Sequence, residues 1–139
     1  MNVSGKKAVV FGGTSGIGLS ATKMLAEAGA TVTAISRDPS KAGALPDGVT
    51  TRACNVLDRD AVEALLNELA PYDILVSAAT GGDRAIGPFL EMNLDGYKAS
   101  FDKLWGYANV VRYGANHVTD GGSITLVSGA PVARPVPGR

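Results

Sequence analysis

The stretch Ala8-Val9-Val10-Phe11-Gly12-Gly13-Thr14-Ser15-Gly16-Ile17-Gly18 decides the fold. Its apolar start reads as a short strand, and the residues after Gly18 carry helical spacing, so the glycines sit at a strand-to-helix junction. Glycine there lets the backbone turn tightly and approach a phosphate closely. The free N–H groups and positive end of the next helix attract negative charge. The spacing is G-x-x-x-G-x-G, not G-x-G-x-x-G, and no Gly-Lys-Ser/Thr follows, so the turn is not a P-loop. It is expected to hold the diphosphate of a nucleotide.

Working outward, apolar and partly β-branched runs recur at residues 8–11, 31–36, 49–56, 74–77 and 123–128, separated by helical stretches or turns. Near-continuous apolar strands alternating with helices predict an α/β fold: a Rossmann-like, doubly wound parallel sheet in three α/β/α layers with right-handed crossovers. Residues 1–128 read as one such domain, and residues 129–139 as a tail rich in proline and glycine.

The first helix is expected over residues 17–28 with Ile17, Ala21, Met24, Leu25 and Ala28 as its inward stripe, ended by Gly29 at C′. Asp58 is the expected N-cap of a second helix that turns Ala61, Val62, Leu65, Leu66 and Leu69 inward and closes before Pro71. A polar, glycine-rich loop at 80–87 follows the fourth strand, where ligand loops collect in such sheets. A long helix is expected from Tyr97 to His117, with Phe101, Leu104, Trp105, Ala108, Val111 and Ala115 as its apolar stripe. Trp105 reads as a core or interface anchor and His117 as a charge at the helix C-terminus.

Composition narrows the function. The chain of 139 residues carries 13 basic and 13 acidic side chains, so its balance favours neither nucleic acid nor an acidic membrane surface. The single cysteine, Cys54, reads as a small apolar filler near a strand end, compatible with a reducing compartment. The N-terminus enters the first strand without a signal-peptide core and no run approaches membrane-spanning length, so a cytoplasmic protein without membrane partners is expected. No cluster of His, Cys and carboxylates suggests a metal.

These residues resemble the short-chain dehydrogenase/reductase family. Its fingerprint T-G-x-x-x-G-x-G appears from Phe11 to Gly18, with Phe11 in place of the leading threonine. The family's Asn-Asn-Ala-Gly marker appears as Ser77-Ala78-Ala79-Thr80, and its Asp-Val pair as Asn55-Val56, where an amide can still donate to and accept from an adenine edge. Gly122-Ser123-Ile124 resembles the family's approach to its catalytic serine. The resemblance implies a nicotinamide cofactor held by Gly12, Thr14, Ser15, Gly16, Ile17 and Gly18 of the turn, by Ser36 and Arg37, by Asn55 and Val56, and by Ser77, Ala78 and Ala79. Ser36 followed by Arg37 offers a hydroxyl and a planar cation at the second strand's end, which favours NADP over NAD. Arg37 also reads as a solvated loop charge. Asp38 can weaken the preference, or cap the turn at Pro39 and Ser40.

In such proteins hydride passes between nicotinamide and a carbonyl or alcohol carbon, with a tyrosine as acid/base, a lysine four positions later, a serine and an asparagine. Here Lys103 falls where the asparagine is expected, and reads as a helix-surface charge. Ser128 stands one position before the usual serine, with Gly129 on it, and reads as the catalytic serine or as a plain turn residue. None of Tyr72, Tyr97, Tyr107 and Tyr113 stands four residues before a lysine. The resemblance therefore implies a larger protein cut short, its sheet incomplete on the C-terminal side, acting on a small carbonyl or alcohol as a homodimer or homotetramer joined through the helix from Tyr97 to His117. Three readings stand: an NADP-dependent oxidoreductase represented by its cofactor-binding part, a non-catalytic NADP-binding sensor or scaffold, or an inactive fragment.

Overall fold

The computed structural model describes residues 2–80 and 83–129. Five parallel strands form one sheet in the order β3-β2-β1-β4-β5: β1 Lys7–Phe11, β2 Thr31–Ser36, β3 Val49–Ala53, β4 Tyr72–Ser77 and β5 Val118–Leu126. The helices are α1 Gly16–Glu27, α2 Arg59–Leu69, α3 Leu94–Ala99 and α4 Asp102–Gly114. Strand alternation splits the core between two faces. Val9, Phe11 and Leu75 pack with Leu66 of α2 and Val110 of α4, whereas Ala8, Val10 and Val32 pack with Leu25 and Ala26 of α1. The result is the expected Rossmann-like, three-layer arrangement.

The two crossovers start and stop as their residues direct. Asp58 caps α2 by accepting from the Ala61 amide at 3.1 Å, and Val62, Leu65 and Leu66 are buried. Gly29, at φ 93°, ends α1 in the left-handed conformation expected of a C′ glycine. Strand β3 is shorter than expected because Asn55 folds into a turn, its side-chain oxygen accepting from the Leu57 amide at 3.0 Å. Strand β5 starts earlier than expected, at Val118. Residues 130–139, most of the expected tail, and Gly81 and Gly82 of the expected loop lie outside the described residues.

Two expectations are corrected by packing. The helix from Tyr97 to His117 is divided: α3 ends at Ala99, α4 begins at Asp102, and Ala115–His117 is a tighter 3₁₀ turn. The Ser100 hydroxyl donates to the Gly96 carbonyl at 2.9 Å and accepts the Ala85 amide at 3.1 Å, competing with the backbone ladder at the break. At the other end the Tyr72 hydroxyl donates to the Gly114 carbonyl at 2.8 Å.

The inward faces are also rotated toward small residues. In α4, Gly106, Asn109, Val110 and Gly114 are buried, and Leu104, Trp105 and the preceding Phe101 are exposed. Glycines let the helix approach closely: a Cβ at residue 106 would stand 2.9 Å from Val56, and one at 114 would stand 2.7 Å from Leu75. In α1 the buried residues are Gly18 and Thr22, while Ile17 and Met24 face outward. Among the described residues no helix is long and apolar enough to cross a membrane.

Candidate functional site

A groove of about 790 Å³ opens over the C-terminal ends of the strands, within the size range of small-molecule sites. The sheet order reverses between β1 and β4, and the groove spans that switch point, where ligands bind in open α/β sheets. Its middle is the turn after β1. The Gly12 and Gly13 amides are spent on the Ile35 carbonyl, at 2.8 and 3.2 Å. The first helical bond of α1 runs from the Leu19 amide to the Ser15 carbonyl at 3.0 Å. The amides of Gly16, Ile17 and Gly18 precede it and so have no carbonyl of their own helix to bond. Ser15 makes no side-chain cap that would block them. Gly16 has φ 53° and open space where a side chain would be, leaving the helix end uncovered toward the groove.

The turn is held from beneath. Thr22, fully buried in α1, donates its hydroxyl to the Gly13 carbonyl at 2.9 Å. Gly18 lies under the turn, not in the groove lining, and serves packing. Thr22 escaped the sequence reading because it is polar on a face assigned by apolar periodicity. The signal was there: a hydroxyl on the inward side of a helix seeks a buried acceptor.

One wall of the groove comes from the ends of β2 and β3, with Ser36, Arg37, Lys41, Asn55 and Val56 lining it. Asp38 is turned to local duty: its carboxylate accepts from the Ser40 amide at 3.1 Å and hydroxyl at 2.5 Å and lies 4.0 Å from Lys41 Nζ. The Ser40 hydroxyl, the Ser40 amide and Lys41 hold its carboxyl below the usual range. Of the two roles open to it in sequence, it takes the cap of the turn at Pro39 and Ser40. The Ser36 hydroxyl oxygen is buried with no hydrogen-bond partner. Asn55 Oδ1 is engaged by Leu57, so its NH₂ group is the free donor. Cys54 also lines this wall, an unpaired thiol pushed up in pKa by burial and by Asp58.

The opposite wall carries Ala78, Ala79, Thr80, Val127 and Lys103. Besides Gly18, two expected site residues fall elsewhere. Ser77 is fully buried within β4 and does not line the groove; its hydroxyl oxygen lacks a partner. By register it shares the sheet face of Phe11 and Leu75, which α2 and α4 cover. Ser128 is exposed just beyond Val127 and outside the lining. Lys103 corrects its expectation in the other direction, since it is half-buried and part of the wall. His117 ends beside Asn67, with Nε2 and Oδ1 2.7 Å apart, remote from the lining.

Chemically, the groove offers unpaired helix amides at its centre, two cations and a hydroxyl on one side, and a lysine on the other. That set suits an elongated ligand with negative charge at its middle. Among the described residues no group of three or more His, Cys, Asp or Glu is placed to hold a metal ion.

The sequence model described as short chain dehydrogenase matches residues 6–138. The chain is 36% identical to the L-xylulose reductase of Bos taurus over 104 residues, 73% of this chain and 42% of that protein. It is 31% identical to the D-erythrulose reductase of Gallus gallus over 105 residues, again 73% and 42%. Among solved structures, a short-chain dehydrogenase from Burkholderia cenocepacia in complex with NADP superposes with a TM-score of 0.87 at 22% identity, covering 99% of this chain and 59% of that one. A short-chain type dehydrogenase/reductase from Mycobacterium ulcerans gives 0.86 at 22%, covering 99% and 56%. The chain thus spans about two fifths of the length of these curated relatives.

Proposed function

The chain belongs to the short-chain dehydrogenase family, and from that premise we propose that residues 2–129 form the NADP-binding part of an oxidoreductase acting on a small carbonyl or alcohol. The observation that carries the reading is the uncovered N-terminus of α1, whose Gly16 and Ile17 line a groove at the switch point of the sheet with amides that no carbonyl of their own helix takes up. The residues fit such a cofactor: a diphosphate completes the amides, and the partnerless Ser36 hydroxyl lies among the groups that would receive the adenosine ribose. Arg37 and Lys41, with Asp38 engaged in its own turn, favour a 2′-phosphate and hence NADP over NAD. When bound, the nicotinamide supplies the hydride chemistry. The protein's share is binding and orientation.

Hydride transfer to a carbonyl is proposed for the whole protein. No tyrosine of this sequence stands four residues before a lysine, and Ser128 lies off the groove, so binding without turnover is expected of these residues alone. The departures from the family's motifs at Phe11, Ser77, Ala78, Thr80, Lys103 and Gly129 favour a second reading, an NADP-binding sensor or scaffold. The reading places the protein in the cytoplasm, consistent with the free thiol of Cys54.

Titration of the purified chain with NADPH and NADH, followed by nicotinamide fluorescence, tests the proposal. Saturable binding of NADPH in preference to NADH is expected, and binding of neither overturns it. Carbonyl reduction by a parent protein that carries a Tyr-x-x-x-Lys pair supports the enzyme over the sensor.

A further inference from the structure

Lys103 stands in the first turn of α4, half-buried, on the groove wall with Ala79, Thr80 and Val127. Its surroundings set it apart from a solvated helix charge. The positions three and four away are Ala99, Ser100, Gly106 and Tyr107, so no carboxylate on the same helical face can pair with it. Among the described residues the ion pairs are Lys41–Asp38 and Arg52–Glu68, neither of which involves it. A cation in the first turn also opposes the positive end of the helix dipole, so the position itself lends its charge no support.

The helix nevertheless holds the ammonium in place. Tyr107, one turn on, presents its ring with the centroid 5.6 Å from Lys103 Nζ. Rotation of α4 is blocked on the groove side. Asn109 donates to the Val56 carbonyl at 3.0 Å, and Gly106 packs against the Val56 side chain. Val56 is itself a groove residue, so the same contacts that dock α4 fix Lys103 relative to the site.

We propose that Lys103 is a specificity-determining cation of the groove, positioned by Tyr107 to pair with an anionic oxygen of the bound ligand on the β4 side. The inference rests on the nucleotide reading above. Its counter-ion is an oxygen of the cofactor beyond the adenosine half, or the carboxylate of an acidic carbonyl substrate seated beside it.

Dissociation constants for 2′,5′-ADP, for NADPH, and for pyruvate added to the NADP-saturated chain, measured with the wild type, Lys103→Gln and Lys103→Arg, test it. The Gln variant is expected to hold 2′,5′-ADP within about twofold and to weaken NADPH or pyruvate about tenfold, with Arg restoring most of the loss. Loss of NADPH binding assigns the oxygen to the cofactor, and loss of pyruvate binding alone assigns it to the substrate. Unchanged constants throughout overturn the inference while leaving the nucleotide reading intact, as does an equal loss of 2′,5′-ADP, which moves Lys103 to the adenosine side. A wild-type chain that binds neither nucleotide overturns both. Tyr107→Leu, a second probe that keeps the charge, is expected to weaken the same ligand about threefold.

Discussion

Gly18 of α1 lies against the carbonyl oxygen of Gly12, so close that a β-carbon at residue 18 would take the space of that oxygen. The obstacle is backbone and cannot rotate away, so Gly18→Ala forces the turn after β1 to open. A loss of about 1–3 kcal/mol in unfolding free energy is expected, with NADPH affinity down at least about tenfold. Gly16→Ala meets no atom within 4 Å and pays only for its positive φ, roughly 1 kcal/mol. Urea unfolding of the two variants checks the order, and equal losses would refute the close-approach account.

The second support of the turn is the Thr22 hydroxyl. Thr22→Val keeps the shape but leaves the buried Gly13 carbonyl without its donor, which costs about 1–3 kcal/mol. Thr22→Ser keeps the donor and is expected to lose less. The midpoint of denaturant unfolding reads the difference, and a Val variant as stable as the wild type contradicts it.

Arg37→Asp tests the 2′-phosphate assignment. Because Asp38 already serves Ser40 and Lys41, the wild-type strand end presents Arg37 without a competing free carboxylate on its neighbour. Reversing the charge is expected to weaken NADPH at least about tenfold while changing NADH little. An unchanged constant for NADPH removes Arg37 from the site.

Much of this architecture is legible in the chain because strands buried on both faces must be apolar, and because Gly12, Gly18, Gly29 and Asp58 occupy positions where few residues serve. Helix faces were harder to read. Periodicity weights large apolar residues, yet α4 docks through Gly106, Asn109 and Gly114, and α1 through Gly18 and Thr22, since contact distance to the sheet rewards small side chains. The division at Ser100 depends on the distant Ala85 amide, a tertiary contact with no local signature. Motif position counts residues but not depth, and Ser77 lies fully buried at the covered end of β4. Lys103 reads as a surface charge until Gly106 and Asn109 dock α4 against Val56 and put it on the groove.

That docking leaves Phe101, Leu104 and Trp105 outward, the last two each 64% exposed. Exposed apolar residues clustered on one helix suit a self-complementary contact, and a second copy of the chain is the proposed partner. Trp105→Glu is expected to shift the protein from dimer or tetramer to monomer in sedimentation equilibrium, with its circular dichroism unchanged. A wild type that is monomeric at high concentration removes α4 as an interface.

Tyr72 gives a prediction in alkali. Its hydroxyl is buried and donates to the Gly114 carbonyl, and burial pushes its pKa up to about 12 from the ordinary 10. The folded state therefore favours the neutral phenol. Stability from this group is fully present below pH about 10, where the phenol is neutral in both states, and is lost as the pH rises through about 12. Ultraviolet difference titration is expected to show the Tyr72 phenol ionising late, together with unfolding. Tyr72→Phe should abolish that late step and, by removing the buried hydrogen bond to the Gly114 carbonyl, cost about 1 kcal/mol at neutral pH. If all four tyrosines titrate together near pH 10 while the circular dichroism of the fold persists, the Tyr72 hydroxyl is not the buried tie between β4 and α4.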